Sequence, residues 1–331
     1  MERRFLDVLE GMREKRVEVV GDMIADVYLT GKIARISREA PVLVLEHQGE
    51  NVVAGGAANV AHNIATLGGI PIPIGVVGND EAGWGLNKIL EEKGANLNGF
   101  RMARTRPTTS KTRIIAGGRA TVSQQVVRID KEDMSPLDEV TANTVSFYAV
   151  SELERADAAV LSDYGGVILT DERINKVVGA CREKNIPTIA DSRYGIRRFR
   201  GVCYIKQNDA ELADAMGEEI SDEVSLQKAA EALRTELSAK GILVTRGEKG
   251  LTLFMEGGKV LNAPVLDKSE VFDVSGAGDT CVAAFILAIA AGGFPEDAAI
   301  LANIASGVAV RKQGTATVSA EELTAAAKRL L

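Results

Sequence analysis

Residues 273–280 read Asp-Val-Ser-Gly-Ala-Gly-Asp-Thr and run straight into an apolar stretch at 281–291. Gly276, Ala277 and Gly278 offer backbone N–H groups with almost no side-chain bulk. At a helix start such donors, with the helix dipole behind them, make an anion site. Asp279 has no place in a resting anion site, because a carboxylate repels a phosphate. A separate task suits it: taking the proton of a hydroxyl that attacks phosphorus. The same residues also read as a plain helix start, capped by Ser275 or Asp273 and turned by its glycines. Spacing alone leaves both readings standing.

Other catalytic patterns do not occur. The sequence has no GxxxxGK followed by Ser or Thr, no GxGxxG after a strand-like run, no HRD with DFG and no GxSxG. Two histidines, His47 and His62, give little material for a His-based metal site. Cys181, Cys203 and Cys281 form no CxxC pair and read as buried apolar thiols in a reducing compartment. Over 331 residues, 39 Lys and Arg stand against 46 Asp and Glu, a net charge of −7. That balance argues against non-specific binding to nucleic acid or an anionic membrane, and leaves room for a local basic pocket. The charged N-terminal residues 1–16 do not read as a signal peptide. The longest uncharged stretch, 280–295, contains Gly292 and Gly293 and falls short of the ~20 residues that span a bilayer. A soluble cytoplasmic protein is expected, with no nucleic-acid or membrane partner.

Periodicity supplies the elements that must hold these residues. Apolar runs at 17–20, 74–77, 158–162, 187–190 and 242–245 read as buried strands. Helix patterns lie between them, near 56–68, 82–94, 137–154, 170–184 and 224–239. The alternation predicts a largely parallel sheet covered by helices, with ligands at the carboxyl ends of its strands. Strand-like 251–255 and 259–266 follow, then helices near 276–291, 296–312 and 319–330. Two stretches break the rhythm. Residues 28–48 carry β-branched residues without a helix period, and 111–130 reads as two strands joined by a Gly-Gly turn. Both are expected to be antiparallel strands outside the main sheet, forming a lid at about 27–50 and 108–130 of one domain spanning 1–331. Their several Arg and Lys favour a role over an idle pair of edge hairpins.

With the elements placed, DVSGAGDT followed by CVAAFILAIAAG resembles the C-terminal signature of the PfkB/ribokinase-like carbohydrate kinases. Gly55-Gly56-Ala57-Ala58-Asn59, continuing VAHNIATLGG, is similar to that family's N-terminal signature. Two signatures in order, about 220 residues apart, are far more specific than either alone. The resemblance implies a ribokinase-like three-layer α/β/α domain, with a mostly parallel central sheet and a small β-sheet lid. It implies ATP and Mg²⁺, Asp279 as catalytic base, and Gly276, Ala277 and Gly278 as the anion hole. Asn208-Asp209-Ala210-Glu211 is similar to the family's NxxE motif, which makes Asn208 and Glu211 holders of Mg²⁺, largely through water. Without the family these two read as an N-cap with a first-turn Glu. Thr245 and Gly247 resemble the nucleotide-side strand end, and Asn303 a residue near the adenine, although a solvent-facing helix position would also suit it. Asp273, with Gly314-Thr315, is where a monovalent cation such as K⁺ would sit. On the sugar side the resemblance implies Asp22, Asp26, Gly55, Gly56 and Asn59; otherwise they are a turn Asp and a closely packed helix start.

Four segments resemble more narrowly the heptose-7-phosphate kinases of ADP-heptose synthesis. They are Val19-Val20-Gly21-Asp22 with Asp26; residues 35–42, Arg-Ile-Ser-Arg-Glu-Ala-Pro-Val; residues 124–130, Gln-Gln-Val-Val-Arg-Ile-Asp; and Ser162-Asp163-Tyr164-Gly165, a substrate-side loop that brings in Asp163. That resemblance implies phosphorylation of O1 of D-glycero-D-manno-heptose 7-phosphate to the 1,7-bisphosphate. The 7-phosphate needs cations; Lys111, Arg113, Arg35 and Arg128 are available, and Lys111 and Arg128 are preferred. Their bland reading is edge-strand charge that prevents aggregation. One departure stands out: Asp191-Ser192-Arg193-Tyr194-Gly195 replaces the group's usual Asp-Pro-Lys-Gly. Many such kinases carry a nucleotidyltransferase domain; no HxGH-type motif occurs here, so kinase activity alone is expected. The alternatives are a kinase of another sugar or sugar phosphate (a ketohexose phosphate, ribose, 2-keto-3-deoxygluconate) or a non-catalytic sugar- or nucleotide-binding regulator. Retention of Asp279, Gly276, Gly278, Asn208 and Glu211 speaks against the regulator. Lid sheets of this family often pair across a dimer. The alternation Val42-Leu43-Val44-Leu45 fits such pairing and fits packing within one chain equally, and a homodimer is expected.

Overall fold

Val17, Val19 and Val20 are wholly buried in the first strand, and the runs of similar composition lie beside it. The computed structural model describes residues 2–118, 121–266 and 271–330. In chain order its first half holds α1 (Glu2–Gly11), β1 (Arg16–Gly21), β2 (Met23–Ile36), β3 (Leu43–Gly56), α2 (Ala57–Thr66), β4 (Ile70–Gly78), α3 (Glu81–Glu92), β5 (Phe100–Ala103), β6 (Ser110–Gly118) and β7 (Thr121–Lys131). Then come α4 (Glu139–Ser151), β8 (Ala158–Asp163), α5 (Asp171–Lys184), β9 (Thr188–Ser192), β10 (Tyr204–Asn208) and α6 (Asp209–Met216). The last third holds α7 (Glu223–Leu237), β11 (Gly241–Thr245), β12 (Leu251–Met255), β13 (Val260–Ala263), α8 (Ala277–Ala290), α9 (Pro295–Ala309) and α10 (Ala320–Leu330).

Among the described residues, nine strands form one sheet in the order β13-β12-β11-β10-β9-β8-β1-β4-β5. Seven run parallel, from β11 to β5; β12 and β13 are added antiparallel. The chain builds outward from β1 to β4 and β5, then returns to build β8 to β11 on the other side. The order therefore reverses beside β1, where open parallel sheets take their ligands. Helices α1, α2, α3, α8, α9 and α10 pack one face, and α4 to α7 the other. Three layers result. Helix α8 is buried on every side from Asp279 to Ala288, so its N-terminus is fixed in position by the core.

The second sheet has the order β3-β2-β6-β7. Its two hairpins are antiparallel, as the sequence predicts, but they meet through a parallel β2–β6 pair. The reason lies in the connections. β2 follows β1 after Asp22 alone, and β6 follows β5 after residues 104–109. Both therefore leave the carboxyl edge of the main sheet in the same direction. The Gly-Gly pair expected to form the turn closes β6 instead, and residues 119–120 beyond it lie outside the described residues. Helix α1 is hidden in the sequence by its charges; Phe5, Val8 and Leu9, with Met12 just past its end, form its buried stripe at helical spacing.

Candidate active site

The buried N-terminus of α8 carries Asp279, which is 4% exposed. Its Oδ2 accepts from Asn59 Nδ2 at 2.7 Å and its Oδ1 from the Tyr164 hydroxyl at 2.8 Å. Asn59 is set by α2, and Asn63 Nδ2 donates to its carbonyl and its side-chain oxygen. Asn63 Oδ1 in turn accepts from Thr280 Oγ1 at 2.9 Å, which ties α2 to α8 beside the carboxyl. Burial pushes the Asp279 pKa up to about 7, although the bonds from Asn59 and Tyr164 pull the other way. A carboxyl so placed is poised to exchange a proton near neutral pH.

Gly276 precedes the helix in the left-handed region, at φ 78°. A Cβ there would stand 2.8 Å from Asn59 Nδ2 and 2.9 Å from Thr315 Cγ2, so a glycine is required. Ala277 N–H donates to Val274 O and Thr280 N–H to Gly276 O. The N–H groups of Gly278 and Asp279 have no backbone acceptor among the described residues, and stand as donors at a helix start. Gly276 is the N-cap and no side chain caps the helix, so neither Ser275 nor Asp273 has the capping role the sequence offers them, and the first N–H groups are left open. Asp273 binds Ser275 N–H at 2.9 Å and Gly314 N–H at 3.1 Å, which brings the 314–315 loop to the helix start.

Asp279 lines neither of the two cavities beside it, but its partner Tyr164 lines one and its neighbour Gly278 the other. The first, about 430 Å³, is lined by Asp22, Lys111, Arg128, Tyr164, Gly166 and Arg193 among others. Asp22 Oδ2 accepts from the N–H groups of Tyr164 and Gly166, which fixes the loop after β8 against the end of β1. A Cβ on Gly166 would come within 2.3 Å of Asp22 Oδ1. Arg128 reaches the cavity already held by both oxygens of Asp130, at 2.8 and 2.9 Å. Arg106 is likewise spoken for, by Asp133 and its carbonyl. Lys111 and Arg193 make no ion pair among the described residues; Lys111 lies 5.7 Å over the Tyr164 ring, and Arg193 5.6 Å over that of Tyr194.

Other residues expected on this side surround the cavity without lining it. Asp26 gives one oxygen to Arg113 at 2.6 Å and the other to Thr315 Oγ1 at 3.0 Å. Asp163 accepts from Gly165 N–H and from Ser192 Oγ, so it shapes the loop that carries Tyr164. Gly55 and Gly56 allow β3 to close on β2: added Cβ atoms would meet Asp26 Oδ2 and Asp22 O, each at 2.7 Å. Arg35 is exposed far along β2 and lines neither cavity.

The second cavity, about 920 Å³, is lined by Asn208, Thr245, Gly247 and Asn303 together with Ala277, Gly278 and Lys206. Leu251, Val265, Ile304 and Val308 give it an apolar wall. Asn303 Nδ2 donates to Pro264 O at 2.8 Å. Asn208 and Glu211 form a reciprocal capping box on α6, with bonds of 2.7 and 2.8 Å. The capping leaves Glu211 Oε1 without a hydrogen bond among the described residues. Asn208 lines the cavity and Glu211 stands behind it without lining it; an amide and a carboxylate so paired are a donor set that suits Mg²⁺ held mostly through water.

Sequence reasoning missed Tyr164 as a partner of Asp279, and it missed Arg193 and Lys206 as cavity cations. The available signal was the charge of Lys206 inside the otherwise buried strand β10, two residues before Asn208 and so on its face. The departure at 191–195 proves conservative in charge: Arg193 supplies a cation where the resemblance leads one to expect a lysine.

The pfkB family carbohydrate kinase signature matches residues 14–323. Bifunctional protein HldE of Hyphomonas neptunium is 42% identical over 328 residues, covering 98% of this chain and 66% of that protein. Bifunctional protein HldE of Azorhizobium caulinodans is 40% identical over 315 residues, covering 95% and 64%. The chain thus spans just under two thirds of the length of these relatives. Among solved structures, Arabidopsis thaliana ribokinase complexed with ribose and ATP matches with a TM-score of 0.73 at 20% identity, over 96% of this chain and 99% of that one. Escherichia coli phosphofructokinase-2 in complex with substrates and products matches at 0.75 and 18%, with the same coverage. At such identities the likeness shows the fold: ribokinase-like α/β, with a large, mostly parallel sheet and a smaller separate one.

Proposed function

The chain belongs to the pfkB family of carbohydrate kinases, and from that premise we propose that it transfers the γ-phosphoryl group of ATP to O1 of D-glycero-D-manno-heptose 7-phosphate. The observation that carries this reading is Asp279, a buried carboxyl at the start of α8 whose partner Tyr164 lines a charged cavity and whose neighbour Gly278 lines a larger, partly apolar one. The larger cavity suits a nucleotide, its apolar wall taking the base and the start of α8 the phosphates. The smaller suits a sugar phosphate, with Lys111 and Arg193 as the cations free to meet its phosphate and Arg128 beside them. The anomeric oxygen attacks the γ-phosphorus, and its proton passes to Asp279. The bond to the bridging oxygen breaks, and its electron pair leaves with ADP. Each oxygen of Asp279 accepts one hydrogen bond in the structure and has capacity for another, so the base need not lose Asn59 or Tyr164 to act.

Mg²⁺ neutralises phosphate charge when bound, and Asn208 and Glu211 are the residues that would hold it. Asp273 with the 314–315 loop is the place for a monovalent cation, K⁺ included. In this reading the four-stranded sheet is a lid over the sugar within one domain, and two chains pair through it. A cytoplasmic setting fits substrates that are both charged phosphates.

The test is an ADP-release assay with ATP and Mg²⁺ over heptose 7-phosphate, fructose 6-phosphate, fructose 1-phosphate, ribose and 2-keto-3-deoxygluconate. Turnover confined to heptose 7-phosphate supports the reading; turnover on another member keeps the kinase and retires the heptose. Asp279→Asn should cost about 10²–10⁴-fold in kcat while ligand binding by calorimetry persists. Unchanged turnover in that variant would remove Asp279 from the chemistry.

A further inference from the structure

Lys206 is a buried cation that the proposed chemistry has not yet used. Its side chain is 7% exposed, on β10, with Nζ 3.1 Å from Asp191 and 3.9 Å from Glu211. The ammonium also lies against the start of α8. A Cβ on Gly278 would stand 2.9 Å from Nζ, and both residues line the larger cavity with Ala277 and Asn208. Three carboxylates crowd this point: Asp191, Glu211 and, through its field, Asp279. A transferring phosphoryl group brings further negative charge to the Gly278 N–H. Without a cation at that spot the carboxylates would repel it.

From this geometry we infer that Lys206 is a catalytic residue, whose ammonium meets the γ-phosphoryl oxygens as the group passes from ADP to the acceptor. The inference rests on the kinase reading above. Lysine has three N–H donors. Asp191 occupies the nearest positions, and Glu211 is beyond hydrogen-bond length, so a donor remains for a phosphate oxygen at the cavity wall. Lys206 neither gives nor takes a proton in the step; it balances charge that is greatest in the transition state. Asp191 anchors the ammonium in the absence of nucleotide, and the flexible four-carbon stem lets it lean toward the phosphate. The short backbone approach at Gly278 gives that glycine a second purpose: any side chain would displace the ammonium.

A merely structural Lys206 would serve only to neutralise buried Asp191, and a double-mutant cycle separates the two roles. Lys206→Met is made in the wild-type chain and in Asp191→Asn, with steady-state kinetics on ATP and the active sugar, and thermal melts to check folding. A catalytic Lys206 gives a fall of about 10²–10³-fold in kcat in both backgrounds, with KM values moving far less, and partial recovery in Lys206→Arg. If the loss disappears in the Asp191→Asn background, Lys206 is a counter-ion and the inference fails. Should Lys206→Met not fold alone, the comparison of Lys206→Met/Asp191→Asn with Asp191→Asn decides it. A wild-type chain inert toward every sugar tested overturns the kinase reading itself, an outcome distinct from an active double variant.

Discussion

Neutral donors hold the Asp279 carboxyl, Asn59 on one oxygen and Tyr164 on the other. Each bond favours the ionised form, while burial opposes it, and the balance falls near neutrality. Because Asp279 must be ionised to take a proton, kcat should rise with pH through about 7 and level off above it. Tyr164→Phe removes one stabilising donor, so the carboxyl should hold its proton longer. The acid limb of the pH–rate profile is then expected to move up by about 0.5–1 unit, with the plateau largely kept. A limb that stays in place, or moves down, would show that Tyr164 does not set the base. At this scale the sequence was readable where spacing encodes geometry. The run 273–280 places its donors and its carboxylate within one turn, so its own order offers the site, although the resemblance was needed to prefer that reading to a plain helix start. Tyr164 and Lys206 reach the same point from the loop after β8 and from β10, 115 and 73 positions away, and no local pattern joins them to Asp279.

Strand β1 shows a different tension. Its neighbours on both sides are parallel strands, and Glu18, in its middle, is wholly buried with neither carboxyl oxygen hydrogen-bonded among the described residues. Burial, reinforced by the charge of Glu152, holds its pKa well above the ordinary value. The folded chain therefore binds this proton more tightly than the unfolded chain does. The stability it lends is complete below the unfolded pKa and is lost as pH rises from about 4.5 toward the raised value. Glu18→Met keeps the volume and removes the ionisable group. It should stabilise the fold by about 1–3 kcal/mol at pH 8, and by less at pH 5, in urea unfolding. Equal stability at both pH values would mean that Glu18 finds a partner. The elements themselves were largely legible, since apolar runs such as 17–20 and 242–245 need no long-range knowledge to read as strands. The parallel meeting of β2 and β6 was not. It depends on both strands leaving the same edge of another sheet, which is a property of the connections and not of either strand's residues.

At the scale of the molecule, an apolar surface of the small sheet is left uncovered by the chain's own core. Along β7, Arg128 and Asp130 line the smaller cavity, so Val127 and Ile129 alternate to the opposite face, where they are 46% and 54% exposed. Ile36, Val42 and Leu43, at the far end of β2 and β3, are exposed on the same small sheet. A four-stranded sheet with its outer apolar residues in water is poorly protected unless another surface covers it. A second copy of the chain is the occupant the proposed reading names. Light scattering behind a sizing column should therefore return twice the chain's mass. Ile129→Lys should return a single chain's mass while the cavity-lining Arg128 and Asp130 keep their places on the other face. A wild-type monomer would discard the pairing and leave the lid as an appendage of one chain; a dimer untouched by Ile129→Lys would put the contact elsewhere. The alternation at 42–45 alone could not make this choice, because an apolar strand face reads the same whether its cover comes from its own chain or from another. It is the position of Arg128 on the cavity side that identifies which face of β7 is left over.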